Sequence, residues 1–296
     1  MKAVIFDQFG SPEVLRYADR PIPKPHVKQA LIKVHAAGLN PIDYKIREGT
    51  SFVCEKLKDH LPSGLGFELA GEIIACGDRV DTFQVGDAVL GLAGFVHHPC
   101  CYAEFVCADV NTIIHKPASL PFLVAGGMTL AGLTAWQAVQ RAKITAGQKV
   151  LIHAAAGGVG HIAVQLAKQL GADVVATAAA DNHPFLHKLG ADQCIDYKTQ
   201  NFVVEVDKVD VVLDLMGGTV GVRSCEVLAP DGIMITVPTV SAAQVIAAAR
   251  QKKRHAVGMV MEPNMRQLSL LAHSKLILAV GRTFKLSEAQ TAHKIL

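Results

Sequence analysis

The chain has 296 residues, 50% of them hydrophobic and 19% charged, which excludes a disordered polymer and leaves ample core for one large domain or two smaller ones. A net charge of +3 with 13 scattered histidines is too weak to point to nucleic acid as a partner. No apolar run reaches the roughly 18–20 residues of a spanning helix, residues 1–10 lack the basic start and long apolar core of a signal peptide, and 7 cysteines without a CxxC pair read as free thiols in a reducing compartment; together these predict a soluble, cytoplasmic protein with no membrane partner.

In chain order, residues 1–9 and 30–35 alternate like strands, with Pro21, Pro23 and Pro25 as an extended connector between them. Short apolar strands punctuated by glycine follow in "GLGFELAGEIIACG" (64–77), "VGDAVLGLAG" (85–94) and "YAEFVCA" (102–108). That spacing suits a compact, β-barrel-like domain over residues 1–120. The texture then changes. Residues 122–142 read as one helical stretch, "KVLIHAA" (149–155) as a strand, residues 157–160 as a turn and "HIAVQLAKQLG" (161–171) as an amphipathic helix ending at glycine. Further continuous apolar strands alternate with helices through "DVVATAA", "DNHPFLHKLG", "VDVVLDLMGG", "IMITVP", "SAAQVIAAARQKKR" and "HAVGMVM". Strands without alternation, each followed by a helix, imply a parallel sheet covered on both faces, so residues 121–273 are expected to form a doubly wound α/β domain. Lys252, Lys253 and Arg254 read as a solvated helix end. The tail, from residue 276, is expected to give a strand and then a helix, with 274–296 returning to the first domain.

The motif that carries chemistry is "VLIHAAAGGVGHIAVQLAKQLGA" (150–172). Gly157, Gly158 and Gly160, with Val159 between them, follow a strand and open a helix. Glycine lets the backbone approach a pyrophosphate, and the helix start offers unpaired N–H groups and a positive dipole end. Ala154 stands where the usual fingerprint has its first glycine; the strand–turn–helix context supplies what the pattern lacks. An NAD site usually places a carboxylate about 20 residues further on, at the end of the second strand. That position falls at 177–179, which holds no acid, and Asp181 lies beyond it. The missing carboxylate removes repulsion against a 2′-phosphate and favours NADPH. Asn182, His183, Lys188 and Tyr197 are the candidate phosphate contacts.

At this point the chain resembles the medium-chain dehydrogenase/reductase superfamily, specifically its quinone oxidoreductase (ζ-crystallin-like) branch. The resemblance covers essentially the whole chain and rests on "AAGLNPIDYKIREG" (36–49), "GFELAGEIIACG" with "VGDAV", "LAGLTAW" (130–136), "AAAGGVG", "LGADQCIDYKT" (189–199) and "VLDLMGG". It implies a GroES-like catalytic domain, a Rossmann NADPH-binding domain, a nicotinamide and substrate site between them, a homodimer, and Tyr197 as a contact to the 2′-phosphate. Members of this branch usually continue past "AHKIL" into a last strand; against that pattern this chain is expected to leave one sheet edge unpaired.

Zinc-dependent relatives hold a catalytic ion with Cys, His and a further Cys or carboxylate, at positions that resemble Asn40, Phe67 (before Glu68) and Leu130. Phe and Leu cannot ligate a metal, so no three-ligand zinc site is expected. His97, His98, Cys100 and Cys101 crowd one loop but lack ligand spacing. Without a Lewis acid, an acceptor that spreads negative charge by itself is favoured, a quinone or a conjugated enone. Asn40, Tyr44 and Thr134 are the expected catalytic residues: the resemblance places positions matching Asn40 and Thr134 near the nicotinamide, and Tyr44 offers a donor to the substrate oxygen. Asp43 reads as a structural carboxylate and Arg47 as a salt-bridge partner. Two competing functions are a non-catalytic NADPH-binding relative, structural or RNA-binding, and a zinc alcohol dehydrogenase.

Overall fold

A computed structural model describes residues 1–295. They form two units: Met1–Leu130 with Pro263–Ser274 and the residues from Val280 onward, and Ala131–Glu262 with Lys275–Ala279.

The first unit is antiparallel. Strands β1 (Lys2–Phe6), β2 (Arg16–Asp19) and β4 (Ser63–Gly64) make a small sheet in the order β2-β1-β4. Strands β3 (Gln29–Ala37), β5 (Glu68–Cys76), β6 (Ala88–Leu92), β7 (Phe105–Asp109) and β8 (Ile113–His115) make a second, in the order β7-β3-β5-β6-β8. The period of two in these strands turns Ala30 and Ile32, Leu69 and Ile73, Val89, Val106 and Ile113 into one core. Helices α1 (Pro41–Glu48) and α2 (Cys54–Leu57) fill the link between β3 and β4. Pro41 opens α1 at its first turn, and Gly49 closes it at φ 82°, a left-handed cap that glycine adopts freely.

The second unit is parallel. Its sheet runs β11-β10-β9-β12-β13-β14, from strands β9 (Lys149–Ile152), β10 (Asp173–Ala178), β11 (Gln193–Asp196), β12 (Val209–Asp214), β13 (Leu228–Thr236) and β14 (His255–Gly258). The order reverses between β9 and β12, the doubly wound switch point. Helices α5 (Gly160–Gln169), α6 (His183–Leu189), α7 (Phe202–Glu205), α8 (Gly218–Ser224) and α9 (Ala242–Gln251) link the strands. Both faces are buried, which is why the strands read as unbroken apolar runs. Val150, Ile152, Val174, Ala176, Val211, Leu213 and Ile235 enter one core, and the residues between them, Leu151, Val175, Val212 and Met234, enter the other.

Three expectations shift. The helical stretch at 122–142 is two helices, α3 (Phe122–Ala125) and α4 (Thr129–Ala142), broken at Gly126 and Gly127. A Cβ on Gly126 would come within 2.5 Å of the Ala36 Cβ, so the glycine lets this segment close on β3. The unit boundary falls after Leu130, within the first turn of α4, rather than after residue 120. Residues before it are tied to the antiparallel unit: the Phe122 ring stacks on His35 at 4.4 Å, and the Leu130 N–H donates to Glu68 at 2.8 Å. Helix α10 (Met265–Ala272) packs on β8 and belongs there too, whereas 275–279 belong to the parallel unit. Finally, the tail contains the expected helix, α11 (Ala289–Ile295), but among the described residues 275–285 form no strand. Their backbone is held by side chains of α5 instead of a ladder. Gln165 accepts from the Ile277 N–H at 2.8 Å and donates to its carbonyl at 2.9 Å, and the His161 ring accepts from the Ala279 N–H at 3.2 Å.

Candidate functional site

In the parallel unit, β9 ends at Ile152 and the chain turns through residues 153–159 into α5. Ala154 adopts φ 48°, a left-handed conformation that costs an L residue about 1–2 kcal/mol. This explains why a glycine is usual there. The turn is closed by the Gly157 N–H donating to the Ala154 carbonyl at 2.9 Å and by the Ala155 N–H donating to the Thr177 carbonyl at 3.0 Å. His161, buried in the first turn of α5, locks it further. Because its Nε2 accepts from Ala279, its Nδ1 carries the proton and donates to the Gly157 carbonyl at 2.9 Å.

The glycines of this turn serve two purposes. A side chain on Gly160 would collide with the Ala154 carbonyl and lie 2.6 Å from the Ala155 Cα, so Gly160 is demanded by the protein itself. Gly158 has room: a Cβ would meet only the Ala131 Cβ, at 3.6 Å, whereas on Gly157 it would press on the Ala154 carbonyl oxygen at 3.2 Å. Packing does not require glycine at 158, and the turn lies at the start of a helix whose first N–H groups have no intrahelical acceptor, where a close ligand would favour it. These residues fit the pyrophosphate of a dinucleotide.

The end of β10 supplies the second half of the site. Ala178 pairs with Asp196 of β11, so Tyr197 leaves the sheet at the same edge where the 3-10 turn Ala180–Asn182 and the start of α6 emerge. Tyr197 is 64% exposed there. The His183 ring is held at 3.3 Å from the Ala178 carbonyl. Two acids stand at this edge: Asp181, exposed in the 3-10 turn, and Asp196, which is turned into its own loop and accepts from the Lys198 N–H and the Thr199 hydroxyl, bonds that hold its carboxyl below the usual range. Asn182, His183 and Tyr197 are thus gathered at one edge. Lys188 is not: it sits in the last turn of α6, five residues and about 7.5 Å along the axis from His183.

In the antiparallel unit, Asn40 is the N-cap of α1, and Asp43, three residues on, reaches back to its backbone N–H. The Asp43 carboxylate accepts from the Asn40 N–H at 2.8 Å, the Gly66 N–H at 3.2 Å and the Tyr102 hydroxyl at 3.1 Å. The Asn40 side-chain Nδ2 donates to Glu68 Oε1 at 2.6 Å, and the Leu130 N–H donates to Glu68 Oε2 at 2.8 Å. Asp43 and Glu68 are both fully buried, and loss of solvent pushes each carboxyl up to about 7, against the pull of these donors; for Glu68 the nearby Asp43 charge adds to the rise. Asn40, Phe67 and Leu130, at the positions that match zinc ligands in relatives, therefore surround a carboxylate already engaged by two N–H groups. Phe67 is wholly buried and packs edge-on against Phe95 at 5.3 Å. Among the described residues no group of three or more His, Cys, Asp or Glu is placed to hold a metal ion. Tyr44 lies on α1 with Asn40, its ring half-buried and 5.8 Å from the Lys45 ammonium. Thr134 lies on α4 in the other unit, 7% exposed. Arg47 is an internal tie, not a surface one: it is buried and donates to Glu48, to the Gly10 carbonyl and to His293 Nδ1.

Two buried acids were missed by sequence reasoning. Glu68 was noted only as the neighbour of Phe67; the signal was an acid inside the apolar run "GFELAG". Asp214, at the end of β12, accepts from the Met216 and Gly217 N–H groups and the Thr236 hydroxyl, and so orders the loop beside the switch point.

An antiparallel GroES-like unit joined to a six-stranded Rossmann sheet defines the class. The model of the alcohol dehydrogenase GroES-like domain matches residues 26–118, and that of the zinc-binding dehydrogenase matches 189–296. The human quinone oxidoreductase is 32% identical over 248 residues, covering 80% of this chain and 73% of its own. The solved quinone oxidoreductase from Coxiella burnetii is 51% identical, with a TM-score of 0.97, covering 100% of this chain and 95% of that one. The Escherichia coli quinone oxidoreductase in complex with NADPH is 28% identical, with a TM-score of 0.88 and coverage of 100% and 96%. The chain spans 60% of the length of the bovine mitochondrial NAD(P)H oxidoreductase that it also matches. The chain belongs to the medium-chain dehydrogenase/reductase superfamily, in its quinone oxidoreductase branch.

Proposed function

We propose that the protein reduces quinones or α,β-unsaturated carbonyl compounds with NADPH and without zinc. The observation that carries this reading is the carboxylate of Glu68, held by the Asn40 amide and the Leu130 N–H, with Phe67, the residue before it, buried and packed on Phe95. Two of the three positions that would ligate zinc hold side chains with no lone pair to offer, and the third is an amide. NADPH, when bound, supplies the hydride. Residues of this chain then have a limited task. Gly158, Val159 and Gly160 offer backbone N–H groups to the pyrophosphate, while Gly157 closes the turn that Ala154 sets. Asn182, His183 and Tyr197 suit a 2′-phosphate at an edge where β10 itself ends without an acid and Asp196 is turned into its own loop; Asp181 shares the 3-10 turn with Asn182, and Lys188 stands further off. Asn40, Tyr44 and Thr134 supply neutral donors for an oxygen that gains charge. Such donors suffice where the charge is delocalised, as in a quinone or enone, and fall short for the localised charge of a simple ketone.

The test is NADPH oxidation by the purified protein against a panel of benzoquinones, naphthoquinones and conjugated enones, with and without a chelator. Chelator-resistant turnover, with NADPH bound more tightly than NADH, is the expected result. A folded protein that binds NADPH and turns over nothing in the panel overturns the reading in favour of a non-catalytic relative, and stoichiometric zinc needed for activity overturns it in favour of an alcohol dehydrogenase. The family resemblance also supports a homodimer, and the free cysteines a reducing compartment such as the cytoplasm; sedimentation and cell fractionation would check the two.

A further inference from the structure

We propose that Glu68 is a positioning residue that sets which way the Asn40 amide faces, and that a proton on Glu68 unsets it. This rests on the functional reading above for what Asn40 touches, but its structural half stands alone.

An ionised carboxylate only accepts, so the Asn40 atom 2.6 Å from Glu68 Oε1 is the NH2 group. Glu68 Oε2 is committed to the Leu130 N–H, which can only donate, so Oε1 is the oxygen left to the amide. A proton taken up by Glu68 removes the negative charge from the Asn40 contact, and a charge-assisted hydrogen bond becomes a weaker neutral one. If that proton sits on Oε1, the new O–H can also turn to the Asn40 oxygen, which reverses the bond and the face the amide presents. Ionised Glu68 is the state that holds Asn40 in one orientation.

The surroundings enforce the geometry. A Cβ on Gly38 would collide with the Glu68 carboxyl, so the chain keeps glycine where β3 ends. Glu68 is fully buried, and burial makes proton uptake accessible near neutral pH, at about 7. The titratable groups that face it are Asp43 from α1 and Cys101 and Tyr102 from the segment before β7. Its cross-strand partner Leu92, and Leu130 on α4, carry no charge.

The experiment reads the amide directly. The side-chain NH2 resonances of Asn40, assigned by their loss in Asn40→Asp, are followed against pH in the nucleotide-free protein. They are expected to move through neutrality in the wild type and to move markedly less in Glu68→Gln, where Asp43 alone still titrates beside the Asn40 N–H. Resonances that do not move in the wild type, or that titrate unchanged in Glu68→Gln, overturn the proposal. In turnover, Glu68→Gln is expected to lower kcat roughly 10- to 100-fold with NADPH affinity within about twofold, and to lose the acid limb of the kcat–pH profile. A kcat within about twofold of wild type overturns the catalytic half. Should Glu68→Gln not fold, Glu68→Asp serves: its shorter arm keeps the charge and withdraws it from Asn40, so kcat falls while the acid limb persists, and an unchanged kcat overturns the same half. A wild type that turns over nothing but whose Asn40 amide titrates sinks the proposed function and leaves the positioning role standing.

Discussion

The two units use their buried polar groups differently. In the antiparallel unit Asp43 and Glu68 lie buried beside α1, surrounded by N–H and O–H donors. In the parallel unit His153 and His161 are held neutral between hydrogen-bonding partners, and Asp214 gathers the loop after β12. The difference follows from what each must hold still. In the parallel unit the working groups are backbone amides of a turn, and buried side chains serve to pin that turn. In the antiparallel unit the working groups are themselves side chains on α1, and acids buried behind them fix their orientation.

The largest expected effect breaks the parallel unit at its turn. In Gly160→Ala the new methyl meets the Ala154 carbonyl and Ala155 Cα, backbone atoms that cannot step aside. The cost is about 3 kcal/mol, seen as a fall in melting temperature of about 6–12 °C, with NADPH binding lost in a fluorescence titration. An equal melting temperature would mean that the turn is looser than this packing implies.

Opposite pH slopes come next and sharpen the contrast. A carboxyl raised by folding, as Asp43 is to about 7, stabilises fully below its unfolded value near 4, and the contribution is lost as pH rises through 7. An imidazole depressed by folding, as His153 is to about 4 by burial and the Arg223 charge, stabilises above 6.5, and the contribution is lost as pH falls through 4. Asp43→Asn, which costs about 2 kcal/mol through its lost donors, is therefore expected to cost less at pH 8 than at pH 5. His153→Gln is expected to cost less at pH 5 than at pH 8. Urea midpoints at the two pH values read both, and slopes of the same sign would erase the distinction.

This contrast also decides how much could be read from sequence. The parallel unit was legible almost throughout, because a sheet buried on both faces writes its strands as unbroken apolar runs and its turn as "AAAGGVG". The two sheets of the antiparallel unit were legible as short strands but not as a polar interior. Asn40 and Tyr44 stand in a recognisable motif, yet the residue that fixes Asn40 lies 28 positions away in β5, and nothing in a strand pattern pairs them. The strand expected at the start of the tail, from residue 276, failed for a similar reason. Its apolar run looks extended, but Gln165 and His161 of α5 take the hydrogen bonds that a neighbouring strand would need. Lys188 was drawn to the phosphate group by charge alone; the direction in which α6 runs carries it away from the edge.

A smaller effect separates binding from folding within the glycine turn. Gly158→Ala finds open space, with Ala131 in ordinary contact at 3.6 Å, so the melting temperature is expected to stay within about 2 °C. The methyl nonetheless occupies the approach of the pyrophosphate, and NADPH affinity is expected to fall about tenfold, close to 1.4 kcal/mol. Equal affinity would place the phosphates elsewhere.

The smallest effect bears on Ala154, the one residue of the turn that departs from the common pattern. Its left-handed φ of 48° costs about 1–2 kcal/mol as alanine, and glycine would remove that cost while losing about 0.4–1 kcal/mol to the freer unfolded chain. Ala154→Gly is therefore expected to stabilise by roughly 0.5–1 kcal/mol, a rise of about 1–4 °C in melting temperature, with NADPH affinity unchanged. The strain is carried by the protein without the nucleotide, since the Gly157 N–H and the Ala155 N–H already fasten the turn on either side. A loss of stability instead would mean that the Ala154 methyl contributes packing that outweighs its backbone strain. A loss of affinity alone would mean that alanine stiffens the turn for binding, which would give the departure from glycine a function.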